Sequence, residues 1–119
     1  MKKILIIEDE KIIRNELKSL LENSGYEVLI IEKFDNVKEN IKNMKFDLIL
    51  MDDMMPDLNG CETLKNLHDL ENFNTPVILV TAASKDEVQN KITTYGFADY
   101  LGKPLNKELL NDTILKYLK

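Results

Sequence analysis

Three acids, a threonine and a lysine stand where short extended runs of this chain stop. Glu8 and Asp9 follow KILII, Asp52 follows LILM, Thr81 follows VILV, and Lys103 comes just after DYLG. Three carboxylates brought together repel one another strongly at low effective dielectric, so such a group needs a cation. Oxygen ligands of this kind suit Mg²⁺, which keeps several of its waters and accepts phosphate as a co-ligand. A cation flanked by a hydroxyl and an ammonium is half of a phosphoryl-transfer site, with both positive groups neutralising phosphoryl oxygens. A carboxylate can supply the nucleophile and become an aspartyl phosphate. Asp52 is the best placed, because it ends a run that reads as a central strand.

These residues meet only if the elements between them place them on one rim. LILMDDMMPDLNG, from Leu48 to Gly60, is four apolar residues, an aspartate pair and a turn. A short unbroken apolar run is what a strand buried on both faces requires, and Pro56 cannot continue its ladder. Lys3–Ile7 and residues 77–80 repeat the pattern, residues 26–31 are rich in β-branched and aromatic types, and residues 99–101 form a brief fifth strand.

Between the strands, apolar residues recur at helical spacing. Ile13, Leu17, Leu20 and Leu21 form one stripe, ended near Gly25. Phe34, Val37, Ile41 and Met44 form the second, and Cys61, Leu64, Leu67 and Leu70 the third. The fourth carries Val88, Ile92 and Tyr95 after the capping box Ser84-Lys85-Asp86-Glu87, and stops at Gly96. Asn106 caps the last, which holds Leu110, Ile114 and Tyr117. Five strands alternating with five helices give an α/β doubly wound parallel sheet, whose ligands bind at the carboxyl ends of the strands.

Taken singly, each site residue has a plainer explanation. Asp9 serves equally well as the cap of the first helix, Asp52 as a turn former, and Thr81 and Lys103 as ordinary surface groups. The case rests on all of them falling at strand ends of one face.

The totals narrow the function classes. At 119 residues, 44% apolar and 31% charged, the chain reads as one ordinary globular domain spanning 1–119. Its net charge of −5 weighs against adhesion to nucleic acid or anionic lipid. No apolar run approaches the roughly 20 residues of a membrane helix, and the start MKKILIIEDE turns acidic too soon for a signal peptide. A cytoplasmic location is expected. The single cysteine, Cys61, excludes an internal disulfide.

ILIIEDE, LILMDDMMP, the DLNG turn, VTA and GFADYLGKP together resemble the receiver domain of two-component response regulators, along the whole chain. The resemblance implies a flavodoxin-like fold like that of the chemotaxis regulator, with strand order 2-1-3-4-5. It implies that Asp52 accepts a phosphoryl group from a phosphohistidine of a sensor histidine kinase. Asp9 would bind Mg²⁺ directly and Glu8 through water, with Asp52 and the backbone carbonyl of Met54 completing the protein ligands. Thr81 and Lys103 would hold the phosphoryl group, and the Lys103–Pro104 bond would be cis. Thr81 and Tyr100 would form the switch that alters the face built by the fourth helix, fifth strand and last helix. The chain would be either the N-terminal part of a longer regulator, such as one with a transcriptional output, or a regulator acting alone. It would be no enzyme beyond its own phosphorylation and dephosphorylation, and would not itself contact nucleic acid or membrane.

Several positions depart from the family pattern. Glu8 replaces the commoner aspartate. Asp53 follows the acceptor directly, and strand alternation points it away from Asp52. Met54 and Ala83 hold positions that tune phosphoryl lifetime in the family, and neither side chain orients an attacking water. Slow self-dephosphorylation is therefore expected, and the double variant Met54→Asn/Ala83→Glu should shorten the phosphoryl half-life. A homodimer formed on phosphorylation is within the family's repertoire, but Thr113 and Leu115 stand where DNA-binding members commonly carry arginine. Cys61 and His68 read as structural or surface residues.

Three rivals fit less well. A haloacid dehalogenase phosphatase needs a second acid two residues after the nucleophile, and Met54 is there. In a flavodoxin-like flavin carrier, Glu8-Asp9-Glu10 would repel the flavin phosphate. A receiver-like module that is never phosphorylated would have no use for the complete residue set.

Overall fold

The apolar runs do become strands. The structure is a computed structural model and describes residues 1–32, 39, 41–42, 44–52, 60–70 and 73–118. In chain order these form β1 (Lys3–Ile7), α1 (Lys11–Asn23), β2 (Glu27–Ile31), β3 (Leu48–Asp52), α2 (Gly60–His68), β4 (Val77–Thr81), α3 (Lys85–Tyr95), β5 (Asp99–Gly102) and α4 (Lys107–Leu118). The strands make one parallel sheet in the order β2-β1-β3-β4-β5, the predicted doubly wound topology.

Four helices are described where five are predicted. The second predicted helix falls mostly outside the described residues, Phe34 and Val37 among them, although Glu39, Ile41 and Lys42 have helical backbone. The fourth and last predicted helices are α3 and α4.

Strand periodicity sorts the core into two layers. Leu5, Ile7, Ile49, Met51, Val77 and Leu79 face Leu64 and Leu67 of α2, with Ile92 and Tyr95 of α3 packed alongside. Ile4, Ile6, Leu48, Leu50, Ile78 and Val80 face Leu17 and Leu21 of α1 and Leu110, Ile114 and Leu118 of α4. Each fully buried aliphatic side chain contributes roughly 1.5–3 kcal/mol, which holds the central strands in register. That register fixes the rim: Ile7 pairs with Met51, Asp52 with Val80, and Thr81 with Gly102.

Local signals set the ends. Ser84 Oγ accepts from Glu87 N at 3.4 Å, and Asn106 Oδ1 accepts from Leu109 N at 3.0 Å, so both predicted caps form. Gly25 and Gly96 follow α1 and α3 with φ of 93° and 84°. A Cβ at Gly96 would lie 3.1 Å from His68 Nε2, whereas one at Gly25 would meet nothing within 4 Å. Backbone strain of about 1–2 kcal/mol is expected for alanine at either site. Thermal melts should show Gly96→Ala lowering the midpoint more than Gly25→Ala, because His68 must also move. Among the described residues no helix is long and apolar enough to cross a membrane.

Candidate active site

Four of the five strands each deliver one part of the rim. Glu8 and Asp9 leave β1, Asp52 ends β3, Thr81 ends β4, and Lys103 follows β5. β3 runs through Asp52, so Asp52 belongs to the ladder rather than to the turn. Two backbone bonds fix the flanks: Glu8 N donates to Ile31 O at 3.1 Å, and Lys103 N to Thr81 O at 2.8 Å. The Lys103–Pro104 bond is cis, as expected.

Lys103 ties the rim together. Its Nζ lies 3.0 Å from Asp52 Oδ1 and 3.3 Å from both Glu8 Oε1 and Glu10 Oε1. Asp52 and Glu8 are only 3% and 1% exposed. Asp9 does not cap the first helix: the cap position is Glu10, whose side chain makes no capping bond. Asp9 stands instead with Glu8 and Asp52, and one carboxylate oxygen of each lies within 4.8 Å of the others. Thr81 is buried at the end of β4, and its Oγ1 accepts from Ala83 N at 3.0 Å. Tyr100, in β5, is half-buried against the core layer under α2 and α3. Met54 and Asp53 lie outside the described residues.

The three-acid group suits a hard divalent cation. Asp52 Oδ2 is buried without a hydrogen-bond partner, and Glu8 Oε1 meets Lys103 as an ion pair but not in hydrogen-bond geometry. An ion coordinated by oxygens would satisfy both orphaned atoms.

Crowding of like charge is visible in the protonation of these groups. Burial first, then the closeness and charge of Asp52, raise the Glu8 carboxyl from 4.5 to about 7, against the pull of Lys103 and the Glu10 N–H. Burial alone would lower Lys103, but the hydrogen bond and charge of Asp52, with Glu8 behind them, outweigh it and hold the ammonium above its ordinary value.

A pH dependence follows, with a definite sign. Below about 4.5 Glu8 is protonated whether the chain is folded or not. Between 4.5 and about 7 the folded chain keeps a proton that the unfolded chain has lost, so this group's contribution to stability falls as pH rises through that window. Urea midpoints in a chelator should show Glu8→Gln gaining on the wild type from pH 5 to pH 8. The gain should shrink with Mg²⁺ present, since a cation favours the ionised carboxylate.

A family model, the response regulator receiver domain, matches residues 4–115. The chain belongs to that family. Receiver domains serve two-component signalling, take phosphate from sensor histidine kinases and bind Mg²⁺ at an acidic pocket, and this chain carries an acidic cluster of that kind. It is 37% identical over 117 residues to Protein PilH of Pseudomonas aeruginosa, covering 96% of this chain and 95% of PilH. It is 34% identical over 115 residues to the signal transduction histidine-protein kinase BarA of Escherichia coli, covering 96% of this chain but only 12% of BarA. Among solved structures, the receiver domain of sensor histidine kinase PA1611 from Pseudomonas aeruginosa superposes with a TM-score of 0.88 at 25% identity, over 98% of this chain and 96% of that one. A magnesium ion is coordinated in the active-site cleft of that protein.

Of the predicted site residues, Glu8, Asp9, Asp52, Thr81 and Lys103 come together, while Tyr100 lies back along β5. Glu10 had no predicted role, and it proves to be the third partner of Lys103. The only hint in the sequence was the length of its acidic run, Glu8-Asp9-Glu10.

Proposed function

We propose that this chain is a phosphorylation-activated receiver whose phosphoacceptor is Asp52. The observation that carries the reading is the buried Asp52 carboxylate, 3.0 Å from Lys103 Nζ on one oxygen and unpartnered on the other. The partnered oxygen anchors the acid to the ammonium, and the other is available to react or to bind a cation.

In the forward step an Asp52 oxygen attacks the phosphorus of a phosphohistidine on a sensor kinase. A P–O bond forms and the P–N bond breaks. The bonding pair stays on the imidazole nitrogen, which takes a proton from solvent. Lys103 follows the developing negative charge from the carboxylate to the phosphoryl oxygens, and Thr81 donates its hydroxyl hydrogen to one of them. Glu8, Asp9, Asp52 and the Met54 carbonyl would hold Mg²⁺, which when bound neutralises phosphoryl charge. In the separate dephosphorylation step water attacks phosphorus, the bond from phosphorus to the Asp52 oxygen breaks and the carboxylate is restored; the water's oxygen and protons leave with inorganic phosphate, which sheds one proton to solvent at neutral pH. No other substrate is turned over.

Phosphorylation adds charge and strong acceptors at the end of β3. Thr81 and Tyr100 respond as the switch and change the face made of α3, β5 and α4. A homodimer on that face, or an output domain in a longer regulator, would read the change, in the cytoplasm and without contact between this domain and nucleic acid or membrane. The direct test is incubation with Mg²⁺ and acetyl phosphate, followed by mass spectrometry of the intact chain. The expected result is a gain of one phosphoryl group, and a chain that gains none is not a phosphorylated receiver.

A further inference from the structure

Glu10 has an unusual setting. It occupies the cap position of α1, where a side chain normally accepts from the first free backbone N–H groups, yet it makes no such bond. Its Oε1 instead accepts from Lys103 Nζ at 3.3 Å, across 93 residues of sequence. Lys103 is thus pulled from two sides. Asp52 and Glu8 hold it from within, while Glu10, 59% exposed in its side chain, holds it from the solvent side. Glu10, Thr81, Ala83, Glu87 and Lys103 line the same cleft beside Asp52, about 430 Å³ in volume.

We propose that Glu10 is a positioning residue that restrains phosphoryl transfer by competing with Asp52 for the Lys103 ammonium. The inference rests on Asp52 being the phosphoacceptor. As the phosphoryl group builds on Asp52, charge accumulates there and the ammonium is worth most at that point. Any share of Lys103 held by Glu10 is withheld from the reacting oxygens. A half-exposed ion pair is weak and screened by salt, so the restraint is modest and adjustable. Removing it speeds phosphoryl uptake, and it prolongs the phosphorylated state by leaving Lys103 wholly with the product.

Two variants separate this from a mere charge at the mouth of the cleft. Glu10→Gln keeps the length and removes the charge. Glu10→Asp keeps the charge but shortens the arm, so that it no longer reaches Lys103. The wild type and both variants are incubated with Mg²⁺ and acetyl phosphate, at low and high salt, and the rates of phosphoryl gain and loss are followed. Both variants should gain phosphoryl about threefold faster at low salt, given the small worth of such a pair, and lose it more slowly. Added salt should bring the wild type towards them, and thermal midpoints should stay together. If Glu10→Asp matches the wild type while Glu10→Gln is faster, the effect is that of local charge and the proposal fails. It also fails if neither variant differs from the wild type. A wild type that takes no phosphoryl at all overturns the phosphoacceptor reading itself, and the inference with it.

Discussion

Asp52→Ala should abolish phosphoryl uptake without weakening the metal-free fold. The loss should be at least about 10³-fold, because no other group on the rim replaces the attacking carboxylate. Glu8 is buried beside Asp52 with its carboxyl raised, and Asp9 belongs to the three-acid group without contacting Lys103 among the described bonds. Stability should hardly respond. Asp52 is a buried acid with one orphaned oxygen, packed against a second buried acid. Removing it relieves the part of the rise in the Glu8 carboxyl that comes from Asp52 rather than from burial, and leaves Lys103 paired with Glu8 and Glu10. Removing one partner of a buried pair is costly when it leaves the other charge alone, and here Lys103 keeps two carboxylates. The urea midpoint in chelator should therefore stay within about 1 kcal/mol of the wild type. A phosphoryl group still acquired by the variant, located on another acid by peptide mapping, would move the acceptor elsewhere.

Lys103→Met should be the most destabilising single change at the rim, but only while the metal is absent. It takes away the only cation the described bonds give to Asp52 and Glu8, and stripping one partner from a buried ion pair costs about 3–5 kcal/mol. The linkage sign agrees. Lys103 has a pKa raised by folding, so its contribution is complete at neutral pH and disappears only as pH climbs past the ordinary lysine value of 10.5. Two conditions should soften the loss. At pH 5 Glu8 carries its proton, so the variant leaves less charge unpaired. With saturating Mg²⁺, the ion supplies the missing positive charge, and its affinity should be higher than for the wild type, since the ammonium no longer competes for the same oxygens. Urea unfolding in chelator and in Mg²⁺, at both pH values, checks all three statements. Equal losses with and without Mg²⁺ would mean that Lys103 acts through packing rather than charge.

What could be read from the residues alone was whatever depends on local pattern. The runs in β1, β3 and β4 are apolar without alternation because both faces of the sheet are covered, and that condition is written in each strand separately. Ser84, Asn106 and Gly96 act on neighbours within a few positions, so their roles were legible too. Asp9 was undecided between cap and ligand, since an acid before a helix suits both. The helix starts one residue later than such a cap would need, at Lys11, which removes the cap reading. Glu10 stayed hidden for a different reason. Its reach to Lys103 depends on how the end of β1 sits against the end of β5, with β3 and β4 between them in the sheet. No spacing within either segment encodes that distance.

The rim draws on residues from position 8 to position 103, contributed by four strands of one sheet. Its ammonium is made after every acid it neutralises. A partly translated chain, or a proteolytic fragment lacking β5, would therefore carry the aspartate without the means to use it. Assembly of the rim thus requires that all four of these strands be made and paired first.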